Sequence, residues 1–178
     1  MLAGLGDGIV NRNSCNCITP LRICGVVISL VFAVSPAFAD FSGRVVGVSD
    51  GGTIKVMHNG RAEKIRLNGI DCPEKAQPFG TKAKQFTAAM VFGKDVTVQV
   101  KDADKYGRTV ADVILSDGRN LNRELVAAGL AWWYRKYSKD VSLGQLEAEA
   151  KASQRGLWAD PDPMPPWCYR KRIKGQVC

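Results

Sequence analysis

The chain has 178 residues, 46% hydrophobic and 24% charged, and its Lys and Arg outnumber Asp and Glu by 25 to 17. Such a length and balance fit one soluble globular domain plus whatever processing removes. The formal charge of +8 suits a polyanionic partner, because clustered cations attract phosphate backbones and release counterions, but an ordinary basic surface explains it equally well.

The first predicted element is a leader. Residues 23–34 read ICGVVISLVFAV, uncharged and preceded by Arg22, and run to Pro36-Ala37-Phe38-Ala39, an A-x-A site for signal peptidase. The run falls short of the roughly 20 apolar residues that a membrane-spanning helix needs. Residues 1–39 are therefore expected to be a signal peptide, with an uncleaved anchor as the alternative, and the protein to be secreted or periplasmic. The leader holds only Arg12, Arg22 and Asp7 among charged side chains, so the basic surplus belongs to the mature chain from Asp40. Cys15, Cys17 and Cys24 go with the leader. In an oxidising compartment Cys168 and Cys178 are expected to pair, leaving Cys72 reduced. No zinc-type ligand spacing occurs, and the single histidine is His58.

Five strands are predicted. Residues 44–48 and 53–57 are β-branched runs split by the turn signal Ser49-Asp50-Gly51-Gly52. Asn59-Gly60 then joins residues 53–57 to a third run, 62–67, as a hairpin whose turn needs two positive φ angles. Residues 95–101 alternate with period two, and 109–115 supply the fifth strand. Apolar spacing predicts helices over 81–92, 120–128 and 143–154, closed by Gly93, Gly129 and Gly156. Five strands with a helix between the third and fourth give an α+β fold, a five-stranded OB-fold β-barrel with three helices. The domain is set at residues 40–160, and the basic, Pro-rich stretch 161–178 is expected to be an irregular surface tail.

Three stretches carry the chemistry. In the first, Arg66 ends a strand and Asp71 and Glu74 follow in a loop stiffened by Pro73. Such a loop can offer one carboxylate to a metal and another to a water, although spacing alone is explained more simply by a surface loop with scattered charges. The second is Asp104-Lys105-Tyr106-Gly107-Arg108, where Arg offers phosphate a planar fork. The third, residues 131–137 (AWWYRKY), interleaves aromatics with cations, and bases stack on such aromatics for about 1–3 kcal/mol each. Core packing is an equal account of at least one of its tryptophans.

Together the strings DGGTIKV, RLNGIDCPE, DKYGR, NRELVAAGLAWWY and EAEAKASQRGLW, in this order and spacing, resemble the thermonuclease family, also called staphylococcal or micrococcal nuclease. The resemblance runs from about Arg44 to Trp158. It implies an OB-fold enzyme that hydrolyses DNA and RNA with calcium, Ca2+ being the expected cofactor and nucleic acid the expected partner of a monomer. By position, Arg66 and Arg108 resemble the phosphate-binding arginines and Glu74 the carboxylate that activates or orients the attacking water. Asp71 resembles a calcium ligand, and Cys72 stands where a main-chain carbonyl binds the metal. Lys105, Tyr106 and Tyr134 are similar to the residues that border the nucleic acid. One departure is chemical: the family motif Asp-Gly-Asp-Thr reads Asp50-Gly51-Gly52-Thr53 here, so one carboxylate ligand is missing and a weakened metal site is expected. The alternatives are a non-catalytic OB-fold nucleic-acid-binding protein, which Gly52 favours and the Arg66, Asp71, Glu74, Arg108 quartet disfavours, and a structural envelope protein, which leaves the quartet unexplained.

Overall fold

The structure is a computed structural model and describes residues 39–178. The expected signal peptide, Ala39 apart, lies outside the described residues. Strand β1 (Phe41–Asp50) pairs antiparallel with β2 (Thr53–His58) through its second half and with β5 (Asp95–Ala103) through its first half. Register shifts between Val45 and Gly47 and between Val48 and Asp50 bend it so that one strand serves two neighbours. Asn59 and Gly60, both at positive φ, turn β2 into β3 (Arg61–Leu67), as the Asn-Gly signal predicts. The third strand lies parallel to β6 (Thr109–Leu115), which returns antiparallel to β5, and the barrel closes in the order β1-β2-β3-β6-β5. Helix α1 (Gly80–Val91) connects the third and fourth barrel strands. This is the strand order of the expected OB-fold.

Alternation within the strands sends Val45, Ile54, Val56, Ile65, Leu67, Val98 and Val113 into the barrel, where each is essentially inaccessible. Full burial of such a side chain stabilises the fold by about 1.5–3 kcal/mol. Helices α2 (Leu121–Ala127) and α3 (Val141–Ala152) cover one end through Leu121, Leu125, Val126 and Leu143. Asn120 caps α2 by accepting from the N–H groups of Asn122 and Arg123, and Asp140 caps α3 through Ser142.

Among the described residues four helices form where the sequence predicts three. The fourth, α4 (Pro166–Arg172), falls in the stretch read as an irregular tail, and a 3-10 turn, Gly156–Ala159, precedes it. The proline density that suggests irregular backbone includes Pro166 at the first turn, where a missing N–H costs nothing and a fixed φ favours the helix. The Cys168–Cys178 disulfide is formed, with Cα atoms 5.0 Å apart, and Cys72 is free and buried.

Two smaller features place the site. Strands β4 (Ile70–Asp71) and β7 (Trp132–Trp133) form a two-residue clip, continued by the bond from Tyr134 N–H to the Gly69 carbonyl. The buried amide of Asn122 holds the turn before that clip: its Nδ2 donates to the Asn68 and Ala111 carbonyls, and its Oδ1 accepts from Val113 N–H. Behind β7, the buried carboxylate of Glu147 accepts from Trp133 N–H, Arg135 and Lys151.

Candidate active site

Arg66 points from β3 across the mouth of the first hairpin. Its guanidinium donates to the Gly52 and Ile70 carbonyls, both at 3.2 Å, and to Asp71 Oδ1 at 2.5 Å. A Cβ at Gly52 would lie 2.1 Å from Arg66 Nη1. The space where an aspartate side chain would begin is therefore held by the arginine. Asp71, on β4, is 1% exposed, and burial of a carboxylate costs several kcal/mol unless it is paired. It is paired twice, with Arg66 and with Arg170 of α4, whose Nη2 donates to Oδ2 at 2.7 Å.

Glu74 sits in the loop between β4 and α1. Gln77 accepts its N–H at 3.1 Å and donates its own N–H back to the Glu74 carbonyl at 2.8 Å. A Cβ at Gly80 would lie 1.9 Å from that carbonyl oxygen, so only glycine lets the loop pack directly on the start of α1. The Glu74 carboxylate reaches the cleft, where its Oε1 accepts from Arg170 Nη1 at 2.7 Å. Burial opposes the charge on Arg170, but the hydrogen bonds to Asp71 and Glu74 outweigh it and raise its pKa further. Burial pushes the Cys72 thiol well above its ordinary range, which keeps it protonated between Gly51 and Gly52.

The loop between β5 and β6 presents the second string. Asp104 Oδ1 accepts from the N–H groups of Tyr106 and Arg108, and its Oδ2 accepts from Arg108 Nε at 2.6 Å. Slight burial opposes ionisation of Asp104, but these donors prevail and hold its pKa below the ordinary value. Tyr106 is 72% exposed, with the Lys105 ammonium 5.1 Å and the Arg108 guanidinium 5.6 Å from its ring centre. Tyr134 follows the clip strand β7. One of its faces stacks on Trp167 of α4, with ring centres 5.0 Å apart, and Tyr137 meets it edge-on. Burial, and then the charge of Asp71, raise the pKa of its hydroxyl.

The eight residues given site roles through the family resemblance line one open cleft of about 880 Å³: Arg66, Asp71, Cys72, Glu74, Lys105, Tyr106, Arg108 and Tyr134. Asp50 and Arg170 line it too. The sequence reading missed Arg170, Trp167 and Gln77. The only signal for the first two was a Trp and an Arg three residues apart behind a helix-starting proline. As donors for a divalent cation the cleft offers the carboxylates of Asp71, Glu74 and Asp50 and nearby carbonyls, all oxygen and suited to calcium. Among the described residues no three His, Cys, Asp or Glu side chains gather as a cage, so a cation would complete its shell with main-chain oxygen and water. The guanidinium of Arg170 already shows that Asp71 and Glu74 converge on one positive charge.

The family described as staphylococcal nuclease homologue matches residues 64–160. An uncharacterized endonuclease of Escherichia coli O157:H7 is 44% identical over 146 residues, covering 82% of this chain and 95% of that protein. A micrococcal nuclease of Shigella flexneri is 38% identical over 164 residues, covering 86% and 94%. A staphylococcal-like nuclease of Arabidopsis thaliana is 41% identical over 112 residues, 63% of this chain and 34% of that longer protein. With the closed barrel and the converging charged residues, these matches show that the chain belongs to the staphylococcal nuclease family.

Proposed function

We propose that the chain is an exported, calcium-using nuclease that hydrolyses phosphodiester bonds of DNA or RNA. The observation that carries this reading is the convergence of Arg66, Arg108, Asp71 and Glu74 on one cleft beside exposed Tyr106. Attack on a phosphodiester builds negative charge on the non-bridging oxygens, and guanidiniums fixed in advance at that position stabilise it. Arg66 and Arg108 take that role. Glu74 accepts the proton of the attacking water and orients it. Asp71 and the Cys72 carbonyl would hold calcium, which would supply further positive charge for the phosphodiester. Lys105, Tyr106 and Tyr134 border the nucleic acid, Tyr106 as a stacking platform. The protein acts as a monomer.

The relatives named as endonuclease and micrococcal nuclease support hydrolysis over a binding-only role. Export is supported by the apolar run and A-x-A site, and by a disulfide of the kind that persists in oxidising compartments. Cleavage after Ala39 would start the mature protein at Asp40.

Labelled single-stranded DNA incubated with the mature protein tests the activity. Cutting in calcium, its loss in chelator, and a rate lower by about 10²–10³ in Arg108→Ala are expected. An unaltered rate in Arg108→Ala would remove that residue from the site, and intact DNA in every condition would end the nuclease reading.

A further inference from the structure

Arg170 comes from the tail, outside every string that defines the family resemblance, yet it bridges the two carboxylates of the cleft. Its Nη2 lies 2.7 Å from Asp71 Oδ2, and its Nη1 lies 2.7 Å from Glu74 Oε1 and 3.4 Å from Asp71 Oδ1. The helix that carries it is docked independently of this contact. Trp167 stacks on Tyr134 and meets Trp132 edge-on, and the Met164 carbonyl accepts from buried Gln77.

We infer that Arg170 and a divalent cation are alternative partners of the Asp71 carboxylate beside Glu74, so that Arg170 sets the calcium concentration at which the site loads. The inference rests on the calcium reading above. A carboxylate oxygen coordinates calcium at about 2.3–2.6 Å, and Asp71 offers none without a guanidinium on it: Oδ1 accepts from Arg66 and Oδ2 from Arg170. A dication on Asp71 would stand directly against the Arg170 guanidinium at a buried carboxylate, and like charges so placed repel. One occupant must leave. Gly52 sharpens the competition, because the carboxylate that family members place there would otherwise add negative charge on the cation's side. Since linkage is reciprocal, docking of Arg170 weakens calcium binding by the same factor by which calcium weakens docking of Arg170.

Calcium titration of the disulfide-bonded mature protein by calorimetry tests this directly. Arg170→Ala should bind calcium about 10–100-fold more tightly than the parent, within the usual range of site-to-site coupling. Arg170→Lys, which keeps the charge without the planar fork, should fall between them. The indole N–H resonance of Trp167 gives a second readout. It should shift on calcium addition to the parent, as Arg170 withdraws next to the Trp167–Tyr134 stack, and respond much less in Arg170→Ala. Equal or weaker calcium binding by a folded Arg170→Ala, with binding by the parent detected, overturns the inference and leaves the calcium reading standing. Absence of calcium binding in both proteins overturns the two together.

Discussion

At Gly52 the lack of a side chain is used by another residue. The guanidinium of Arg66 crosses the position a Cβ would take and bonds to the Gly52 carbonyl. An aspartate there must push Nη1 aside, which a flexible side-chain end allows, and it then meets the arginine as an ion-pair partner. Gly52→Asp should therefore fold normally and restore a second carboxylate for calcium. The expected gain in calcium affinity is ten- to a thousandfold, about 1.4–4 kcal/mol, reduced by whatever the new carboxylate spends on Arg66. Calorimetry and a cleavage assay read both effects. A Gly52→Asp protein that binds DNA in calcium but never cuts it would leave the chain a nucleic-acid-binding module.

The stretch from Asp104 to Arg108 shows how one carboxylate organises an exposed loop of the cleft. Two N–H groups and a guanidinium converge on Asp104 and hold its pKa below the unfolded value. A carboxyl lowered in the folded state adds stability above its unfolded pKa, about 3.9 for Asp, and loses it as pH falls through the lowered value. Acidification past that lowered value, itself under about 3.9, should thus release Arg108 and loosen the loop, which the amide resonances of Tyr106 and Arg108 would report. Asp104→Asn should abolish that pH response; its persistence would assign the transition to another carboxyl. Elements of this kind were legible in the sequence to different depths. Alternation and Asn59-Gly60 located the barrel strands, and the caps Asn120 and Asp140 mark helices found from apolar spacing. The clip of β4 and β7 was not legible, because two-residue strands have no period and their partners lie some sixty residues apart in the chain. Helix α4 was missed because its prolines were read as loop punctuation, when Pro166 begins the helix.

For the molecule as a whole, local pattern sufficed for the barrel but not for the cleft. Arg66, Asp71, Glu74 and Arg108 entered through a resemblance rather than through spacing, since no periodicity tells a cleft carboxylate from a surface one. Arg170 lies 96 residues along the chain from Glu74, and the docking of Trp167 on Tyr134 and Trp132, with the Gln77–Met164 bond, brings it back. Barrel closure has a further consequence. A ring of strands has no frayed end, so it must open at a seam, and the seams differ in length. The parallel join of β3 and β6 is the shortest, with three registered pairs from Ile65↔Thr109 to Leu67↔Ala111, against seven between β5 and β6. Local opening of folded proteins follows such differences in hydrogen-bonded contact. Amide exchange in the native protein should therefore be faster at Arg66 and Ala111 than at Thr97 and Ile114, a pair of the β5–β6 join, and equal protection would mean that the ring opens as one unit. Arg66 belongs to that short join, so the barrel's least secured stitch runs beneath the arginine proposed to face the phosphate, and thermal opening of the ring there would disarm the cleft.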